Sequence, residues 1–175
     1  MIPYSRWVVV TGCGSGFGLL TAQQLLAKGY GVIAVCRTED GCQRLRSTVT
    51  SSARLRTVQC DITVPGDRDR LRSELAACHR GDLWALVNNA GTVIPGYTDY
   101  LTDADFRNVM EVNFFGAVNV TRLCLLRLKE SRGRIVNVSS TCGLVALPGN
   151  GPYNASKFAL RAFSDTLRRE LSAWG

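Results

Sequence analysis

The fold is decided by one stretch near the amino terminus, Val8-Val9-Val10-Thr11-Gly12-Cys13-Gly14-Ser15-Gly16-Phe17-Gly18. A β-branched run passes into glycines and then into a helical pattern, which predicts a strand, a tight turn and a helix. The free N–H groups at the start of such a helix face whatever lies above the turn, and this position suits a phosphate. Glycines let the backbone turn tightly and approach an anion closely.

On its own, the glycine turn leaves several functions open. Read as Gly-x-Gly-x-Gly, it fits the adenosylmethionine loop of a methyltransferase about as well as a dinucleotide loop, and glycine runs also form plain turns. A methyltransferase usually has an acid before the first glycine, where Val10-Thr11 stand here. A P-loop NTPase is disfavoured because no Gly-Lys-Ser/Thr closes the motif.

Composition predicts one domain over residues 1–175 with a buried core, since 46% of the 175 residues are hydrophobic. The net charge of +7 comes almost wholly from arginines with acids interleaved, as in Asp67-Arg68-Asp69-Arg70. Such spreading is typical of solvated helix faces, so we expect no nucleic-acid partner. Part of the charge can serve the phosphates of a cofactor.

Cysteine and histidine usage points to an intracellular protein without a metal site. The seven cysteines are odd in number and form no CxxC pair, which is typical of buried thiols in a reducing compartment. His79 is the only histidine, so a His-based metal site or a Ser-His-Asp triad is hard to build, and we expect it at the surface. No signal peptide or apolar run long enough to span a bilayer is evident, which predicts no membrane span.

Strand and helix patterns alternate along the chain. After the first strand they are a helix from Leu19 to Lys28, a strand at 31–36, a helix at 39–50, a strand at 55–60 after a Ser-rich connection, a helix at 67–78, a strand at 83–87, a helix from the N-cap Thr102 to Lys129, a strand at 134–139 and a helix from Tyr153. This alternation predicts an α/β fold, a doubly wound, Rossmann-type parallel sheet between two helical layers.

The long helix is predicted to bury Phe106, Val109, Val112, Phe115, Val118 and Leu123. Asn113 lies within this pattern. An asparagine in such a helix is usually exposed or bonded to the previous turn, so taken alone it indicates little about function.

Residues that follow the predicted strands are candidates for cofactor contacts. Arg37 follows the second strand, where an acid would bond the adenine ribose and an arginine would accommodate a 2′-phosphate; NADP(H) is therefore favoured, although Glu39 and Asp40 follow closely and NAD(H) stays open. Asp61 is either an adenine-edge acceptor or the start of a turn. Asn88-Asn89-Ala90-Gly91 is either a turn or a small, self-bonded loop against a cofactor.

Tyr153 and Lys157 are four residues apart and so share one face of the last helix. A free tyrosine, with a pKa of about 10, is a poor base near neutrality, but an adjacent ammonium stabilises a phenolate. Such a pair can exchange a proton with an alcohol or carbonyl oxygen, as hydride transfer between a nicotinamide and a carbonyl requires.

In this order and at these separations the motifs resemble the short-chain dehydrogenase/reductases. The matching positions are Thr11-Gly12-x-x-x-Gly16-x-Gly18, Asp61, Asn88-Asn89-Ala90-Gly91, Asn113, Ser140 and Tyr153-x-x-x-Lys157. The resemblance covers essentially the whole chain. Segments such as Ser156-Lys157-Phe158 are similar to the branch that contains retinol and hydroxysteroid dehydrogenases.

The resemblance implies a role for each matching residue. Tyr153 would be the general acid/base, Lys157 would tune it and hold the nicotinamide ribose, Ser140 would bond the substrate oxygen, and Asn113 would anchor a water that relays protons to Lys157. Asp61 would meet the adenine. The implied cofactor-binding set is Thr11, Gly12, Gly14, Ser15, Gly16, Phe17, Gly18, Arg37, Asp61, Ile62, Asn89, Ala90, Gly91, Tyr153 and Lys157.

The family pattern normally continues beyond the helix of Tyr153 into a sixth strand, a lid over the substrate and a seventh strand. The sequence stops at Gly175, so we expect an incomplete domain in which the fifth strand has an unpaired, apolar edge. Branch members often have a membrane segment, which allows either a cytoplasmic location or association with the endoplasmic reticulum.

Two functions fit these residues. The first is an NAD(P)-dependent oxidoreductase for a small hydrophobic alcohol or carbonyl compound, such as a retinoid or steroid. The second is a non-catalytic module that keeps the cofactor fold and the helix pair that many relatives use to form a homodimer. Adenosylmethionine chemistry is a distant third.

Overall fold

The computed structural model describes residues 6–49, 54–79 and 81–174, and in this part strands alternate with helices as predicted. The elements are β1 (Trp7–Thr11), α1 (Gly16–Ala27), β2 (Gly31–Cys36), α2 (Glu39–Ser47), β3 (Leu55–Gln59), α3 (Pro65–Ala76), β4 (Leu83–Asn88), α4 (Asp103–Met110), a π-helical turn (Glu111–Gly116), α5 (Ala117–Ser131), β5 (Arg134–Asn137), a 3₁₀ turn (Thr141–Gly143), α6 (Gly151–Glu170) and a final 3₁₀ turn (Ser172–Trp174).

All strand pairs are parallel, and the order across the sheet is β3-β2-β1-β4-β5. Val9 of β1 pairs with Ile33 of β2 on one side and with Leu86 of β4 on the other. The order reverses at β1, so the connections after β1 and β4 leave in opposite directions and open a crevice above the carboxyl ends of these strands. The predicted doubly wound parallel sheet is confirmed.

The core lies on both faces of the sheet because alternate residues of β1 point to opposite sides. Val9 packs with Leu71 of α3 and Val120 of α5, whereas Val8 and Val10 pack with Ala22 of α1. Every residue of β2 is buried. The apolar first strand is thus fixed from above and below, and its carboxyl end is a rigid place from which to start the glycine turn.

Element boundaries differ slightly from the sequence prediction. Helix α2 ends at Ser47, and the Ser-rich connection predicted after it lies at 50–53, outside the described residues. Helix α3 begins at Pro65 rather than Asp67, because the fixed φ of proline suits the first turn of a helix. Helix α6 also begins early, at Gly151 with Pro152 in its first turn, so Tyr153 stands inside the helix.

The predicted helix from Thr102 to Lys129 is interrupted by the π-helical turn at Glu111–Gly116. Its wider turn shifts the phase of the helix. The buried face therefore continues through Asn113, Ala117, Val120 and Cys124, and the predicted burial of Phe115 is wrong, since 44% of that residue is exposed.

By length and composition alone, the helical stretch Asp103–Ser131 could cross a membrane. Within the fold its α5 segment contributes Val120, Cys124 and Leu128 to the core beneath the sheet. Core helices of water-soluble proteins pass the same length test, so the expected absence of a membrane span stays a prediction.

Two sequence predictions on side-chain environment are confirmed. All seven cysteines are buried and unpaired, and His79 is exposed. Burial in apolar surroundings raises the pKa of Cys36 and of Cys124 to about 12, as expected of inert structural thiols.

The fifth strand forms one margin of the described sheet, as predicted. Val136 is 49% exposed there. An apolar groove of about 460 Å³ lies beside it, between β5, α5 and α6, and is lined by Leu128, Ile135, Leu167 and Trp174 among others.

Candidate functional site

The glycine turn after β1 is packed so tightly that side chains would not fit. Gly12 has a φ of +73°, and a Cβ there would stand 2.9 Å from the Cα of Ala90. A Cβ on Gly18 would overlap the carbonyl oxygen of Gly12 and lie 2.5 Å from the Nδ2 of Asn89. The first turn of α1 can therefore approach the loop after β4 only because these two residues are glycines.

Hydrogen bonds between Thr11 and Asn89 fix the turn to the loop after β4. The hydroxyl oxygen of Thr11 accepts the backbone N–H groups of Asn89 and Ala90, each at 3.0 Å, and Asn89 Nδ2 donates to the carbonyl oxygen of Thr11 at 2.8 Å. Thr11 is 1% exposed. Its hydroxyl is thus used within the protein, where it sets the shape of the turn.

A cleft of about 530 Å³ opens above these strand ends. The predicted cofactor-binding residues on its lining are Gly12, Gly14, Ser15, Arg37, Asp61, Ile62, Asn89, Ala90 and Gly91. Gly16, Phe17 and Gly18 lie beside it in the first turn of α1, with the Phe17 side chain 79% exposed. The structure therefore gathers residues from four separate strand ends, far apart in the chain, around one cavity.

Asp61 starts a turn, which is one of the two interpretations that the sequence left open. Its Oδ1 accepts hydrogen bonds from the backbone N–H and the hydroxyl of Thr63, at 2.9 and 2.7 Å, and so starts a turn. The same residue lines the cleft. One carboxylate oxygen thus shapes the loop, while the residue lies on the lining of the cleft.

Basic residues surround the end of β2. Arg37, exposed, and Arg44, from helix α2, both line the cleft. Glu39 forms an ion pair with Arg46, which also donates a hydrogen bond of 2.6 Å to the hydroxyl of Thr57 on β3. Glu39 is bonded to Arg46 and does not line the cleft. The sequence prediction missed Arg44, because only the fold brings this part of α2 to the glycine turn.

Asn113 is neither exposed nor bonded to its own helix, unlike most asparagines in such a helical pattern. It is 1% exposed within the π-helical turn. Its Oδ1 accepts the N–H of Thr92 at 2.7 Å, and its Nδ2 donates to the Thr92 carbonyl oxygen and to the Ser156 hydroxyl, both at 2.9 Å. Asn113 therefore joins the loop after β4 to helix α6.

Ser156 completes this connection and was given no role by the sequence prediction. It is fully buried, and its hydroxyl donates to the carbonyl oxygen of Tyr153 at 2.8 Å. The residue is visible in the Tyr-x-x-Ser-Lys pattern, but its partner Asn113 is 43 positions away in the chain.

Lys157 is only 4% exposed, and burial lowers the pKa of its ammonium group. Its Nζ donates to the carbonyl oxygen of Val138 at 2.9 Å and lies 5.6 Å from the centre of the Tyr153 ring. A Cβ on Gly91 would stand 3.7 Å from the same Nζ. The Tyr-Lys pair thus lies next to the loop after β4, which lines the cleft.

Ser140 lies on the same side of the domain as this pair. It caps the 3₁₀ turn by accepting the N–H of Cys142 at 3.1 Å. That turn packs against α6, since a Cβ on Gly143 would lie 3.0 Å from the carbonyl oxygen of Lys157. The predicted catalytic residues therefore converge from α6, the π-helical turn and the end of β5.

Solved structures and curated proteins resemble this chain closely. A short-chain dehydrogenase from Streptomyces avermitilis superposes with a TM-score of 0.89 at 30% identity, over 97% of this chain and 62% of that one. A structure from Beutenbergia cavernae, described as an NAD(P) dependent gluconate 5-dehydrogenase with NADP bound at low occupancy, gives 0.87 at 28% identity over 99% and 71%.

Among curated proteins, human retinol dehydrogenase 16 is 45% identical over 172 residues, and human dehydrogenase/reductase SDR family member 9 is 43% identical over 175 residues. Each alignment covers 97% of this chain and 53% of the relative, so the chain spans about half the length of these relatives. The family model for short chain dehydrogenases matches residues 6–175. The chain belongs to the short-chain dehydrogenase family.

Proposed function

We propose that this protein is an oxidoreductase that binds NADP(H) in the cleft and interconverts an alcohol with an aldehyde or ketone on a small hydrophobic molecule. The observation that carries the proposal is the convergence of Tyr153, Lys157 and Asn113 beside Gly91, at one end of a glycine-lined cleft. The 45% identity with human retinol dehydrogenase 16 supports the oxidation of an alcohol or the reverse reaction as the chemistry.

The cleft fits a dinucleotide. Gly12 and Gly14 offer backbone without side chains, and the N-terminus of α1 provides free N–H groups for a pyrophosphate. Asp61 and Ile62 would border the adenine, and Lys157 would hold the nicotinamide ribose. A bound nicotinamide would supply or accept the hydride.

The chain itself supplies proton transfer and orientation. Tyr153 would exchange a proton with the substrate oxygen, and Ser140 would bond the same oxygen. The buried ammonium of Lys157 would stabilise negative charge on the tyrosine oxygen. Because the side-chain amide of Asn113 is committed to Thr92 and Ser156, its role in this proposal is to position α6 against the loop after β4.

Preference for NADP(H) over NAD(H) is supported by charge. Arg37 follows β2 with no acid at the strand end, and Glu39 is held by Arg46. A guanidinium suits the 2′-phosphate, whereas a carboxylate at this place would suit ribose hydroxyls.

A hydrophobic substrate is supported by apolar side chains on the two loops next to Tyr153. Val93, Tyr97, Leu144 and Val145 are between 51% and 64% exposed. The loops meet through a hydrogen bond of 2.8 Å from the N–H of Gly96 to the carbonyl oxygen of Gly149, two residues before α6. Retinoids and steroids have the matching apolar surface, which makes them the first substrates to test.

The test is nucleotide titration and turnover by the purified 175-residue protein. We expect NADPH to bind more tightly than NADH and the protein to oxidise a member of a retinol and hydroxysteroid panel. Tyr153→Phe should lower turnover by about 10²- to 10⁴-fold while leaving nucleotide affinity unchanged. Tyr30→Phe, at the opposite end of the sheet, is the matched control. Full turnover by Tyr153→Phe would show that another group moves the proton.

A second function is favoured by the open margin of the sheet. The apolar groove beside β5 fits a non-catalytic module that binds nucleotide or pairs with a second copy. Exposed Phe115, Leu126 and Phe158 could contribute to such pairing. Nucleotide binding without turnover on any panel member would favour this alternative.

A further inference from the structure

Arg44 reaches from helix α2 to the glycine turn of the first βα unit. Its Nη1 donates a hydrogen bond of 3.0 Å to the carbonyl oxygen of Gly14. The residue lines the cleft together with Arg37 and Thr38. It therefore stands where the turn, the end of β2 and the start of α2 meet.

Two glycines explain why this approach is possible. A Cβ on Gly41 would stand 3.0 Å from the Cα of Gly14, so helix α2 touches the turn backbone to backbone. Arg44 follows Gly41 by three residues and so lies on the same face of α2. The helix thus directs a guanidinium at the cleft from a fixed support.

The charges around this corner of the cleft are unbalanced. Of the two acids at the start of α2, Glu39 is paired with Arg46 and Asp40 does not line the cleft, and Asp61 uses Oδ1 to hold Thr63. Asp61 is the one carboxylate on the cleft lining within the described residues, against the two guanidinium groups of Arg37 and Arg44. This corner is therefore suited to an additional anionic group.

We propose that Arg44 is a specificity-determining residue, whose guanidinium binds the 2′-phosphate of NADP(H) jointly with Arg37 while it holds Gly14 in place. The inference rests on the proposed use of NADP(H). A guanidinium has five N–H donors in a rigid fork, so one side chain can serve both the Gly14 carbonyl and a phosphate oxygen. NAD(H) has a hydroxyl instead of this phosphate. For NAD(H), Arg44 would therefore contribute only by holding the glycine turn in place.

The experiment measures the dissociation constants of NADPH and NADH, and of 2′-AMP and 5′-AMP as small probes, for the wild-type chain and three variants. Arg44→Gln should weaken NADPH binding by about tenfold or more beyond any effect on NADH, because a charge-assisted hydrogen bond is lost. It should likewise weaken 2′-AMP more than 5′-AMP. Arg44→Lys should recover part of the NADPH preference.

Arg72→Gln is the control, since it removes an exposed guanidinium that pairs with Asp69 on helix α3 and does not line the cleft. It should leave the NADPH to NADH ratio unchanged. Equal weakening of both nucleotides by Arg44→Gln would overturn the inference, because Arg44 would then support only the turn, while the proposed function would stand. A wild-type chain that binds neither nucleotide would overturn both, and a thermal unfolding scan identifies a variant that has simply failed to fold.

Discussion

The nucleotide half of the site and its catalytic half are held together in different ways. Around Gly12 and Gly18 the backbone itself forms the contacts, at distances where a side chain has no room. Around Asn113 the contacts are side-chain hydrogen bonds of 2.7 to 2.9 Å that join Thr92 to Ser156. The first half depends on missing side chains and the second on polar side chains that are fully satisfied, so substitutions should damage the two halves differently.

The largest effect is expected from Gly18→Ala, which tests the nucleotide half. The new methyl group would overlap the carbonyl oxygen of Gly12, a backbone atom that cannot move without opening the turn. We expect a loss of about 3 kcal/mol in the free energy of unfolding and at least about tenfold weaker NADPH binding. Urea unfolding and nucleotide fluorescence measure the two quantities.

Gly66→Ala is the control for this substitution. Gly66 lies exposed in the first turn of α3, and no atom stands within 4 Å of the position that a Cβ would take there. Alanine at this position should be neutral or stabilising by up to about 1 kcal/mol. If both alanine variants behaved alike, close backbone packing would not be what holds the nucleotide half.

An intermediate effect is expected from Asn113→Ala in the catalytic half. It leaves the partly buried N–H of Thr92 and the buried hydroxyl of Ser156 without their partner, which costs about 2 kcal/mol in unfolding free energy. Turnover should fall while NADPH affinity changes less than twofold, because the glycine turn is untouched. Asn119→Ala, on the following helix, should leave turnover and NADPH affinity unchanged. A large loss of NADPH affinity in Asn113→Ala would show that the catalytic half and the nucleotide half of the site are not held independently.

The smallest effect concerns pH and Lys157. Because burial lowers the pKa of its ammonium, the unfolded chain binds more protons than the folded one between that lowered pKa and about 10.4. The buried charge of Lys157 therefore costs stability below this window, and this cost falls as the pH rises through it. In Lys157→Met this rise should be absent, a difference of under about 1.4 kcal/mol per pH unit.

Urea unfolding of both proteins from pH 8 to about 10.5 measures this difference. Buried thiols such as Cys60, whose pKa is raised to about 11, act in the opposite direction in both proteins and cancel in the comparison. A difference between the two proteins that stays constant across the range would mean that Lys157 is not desolvated in the folded state.

The two halves also differ in how well the sequence predicts them. The glycine turn was predictable because glycines that bear a positive φ or a close backbone approach leave a local signature, and β-branched runs mark the strands. The spacing of Tyr153 and Lys157 was equally local. Asn113, by contrast, gave a misleading signal, since its burial depends on a π-helical turn and on partners 21 and 43 residues away.

The environments of Phe115 and Arg44 could not be predicted from the local sequence either. A helix of regular period would bury Phe115, but the π-helical turn moves it outward, and the local pattern contains no sign of that turn. Arg44 was one of many arginines on a polar helix face until the contact between Gly14 and Gly41 brought it to the cleft.

The amino-acid sequence by itself determined the alternating strands and helices, the parallel sheet, the glycine turn and the one-turn spacing of the tyrosine and lysine, because each of these follows from neighbouring residues and their periodicity. Only the tertiary structure decided that Asn113 joins the loop after β4 to Ser156, that Arg46 bonds Thr57 of β3 and that Arg44 reaches Gly14. These contacts connect segments that meet only once the sheet has formed, and hydrogen-bond partners at such separations leave no local pattern in the chain.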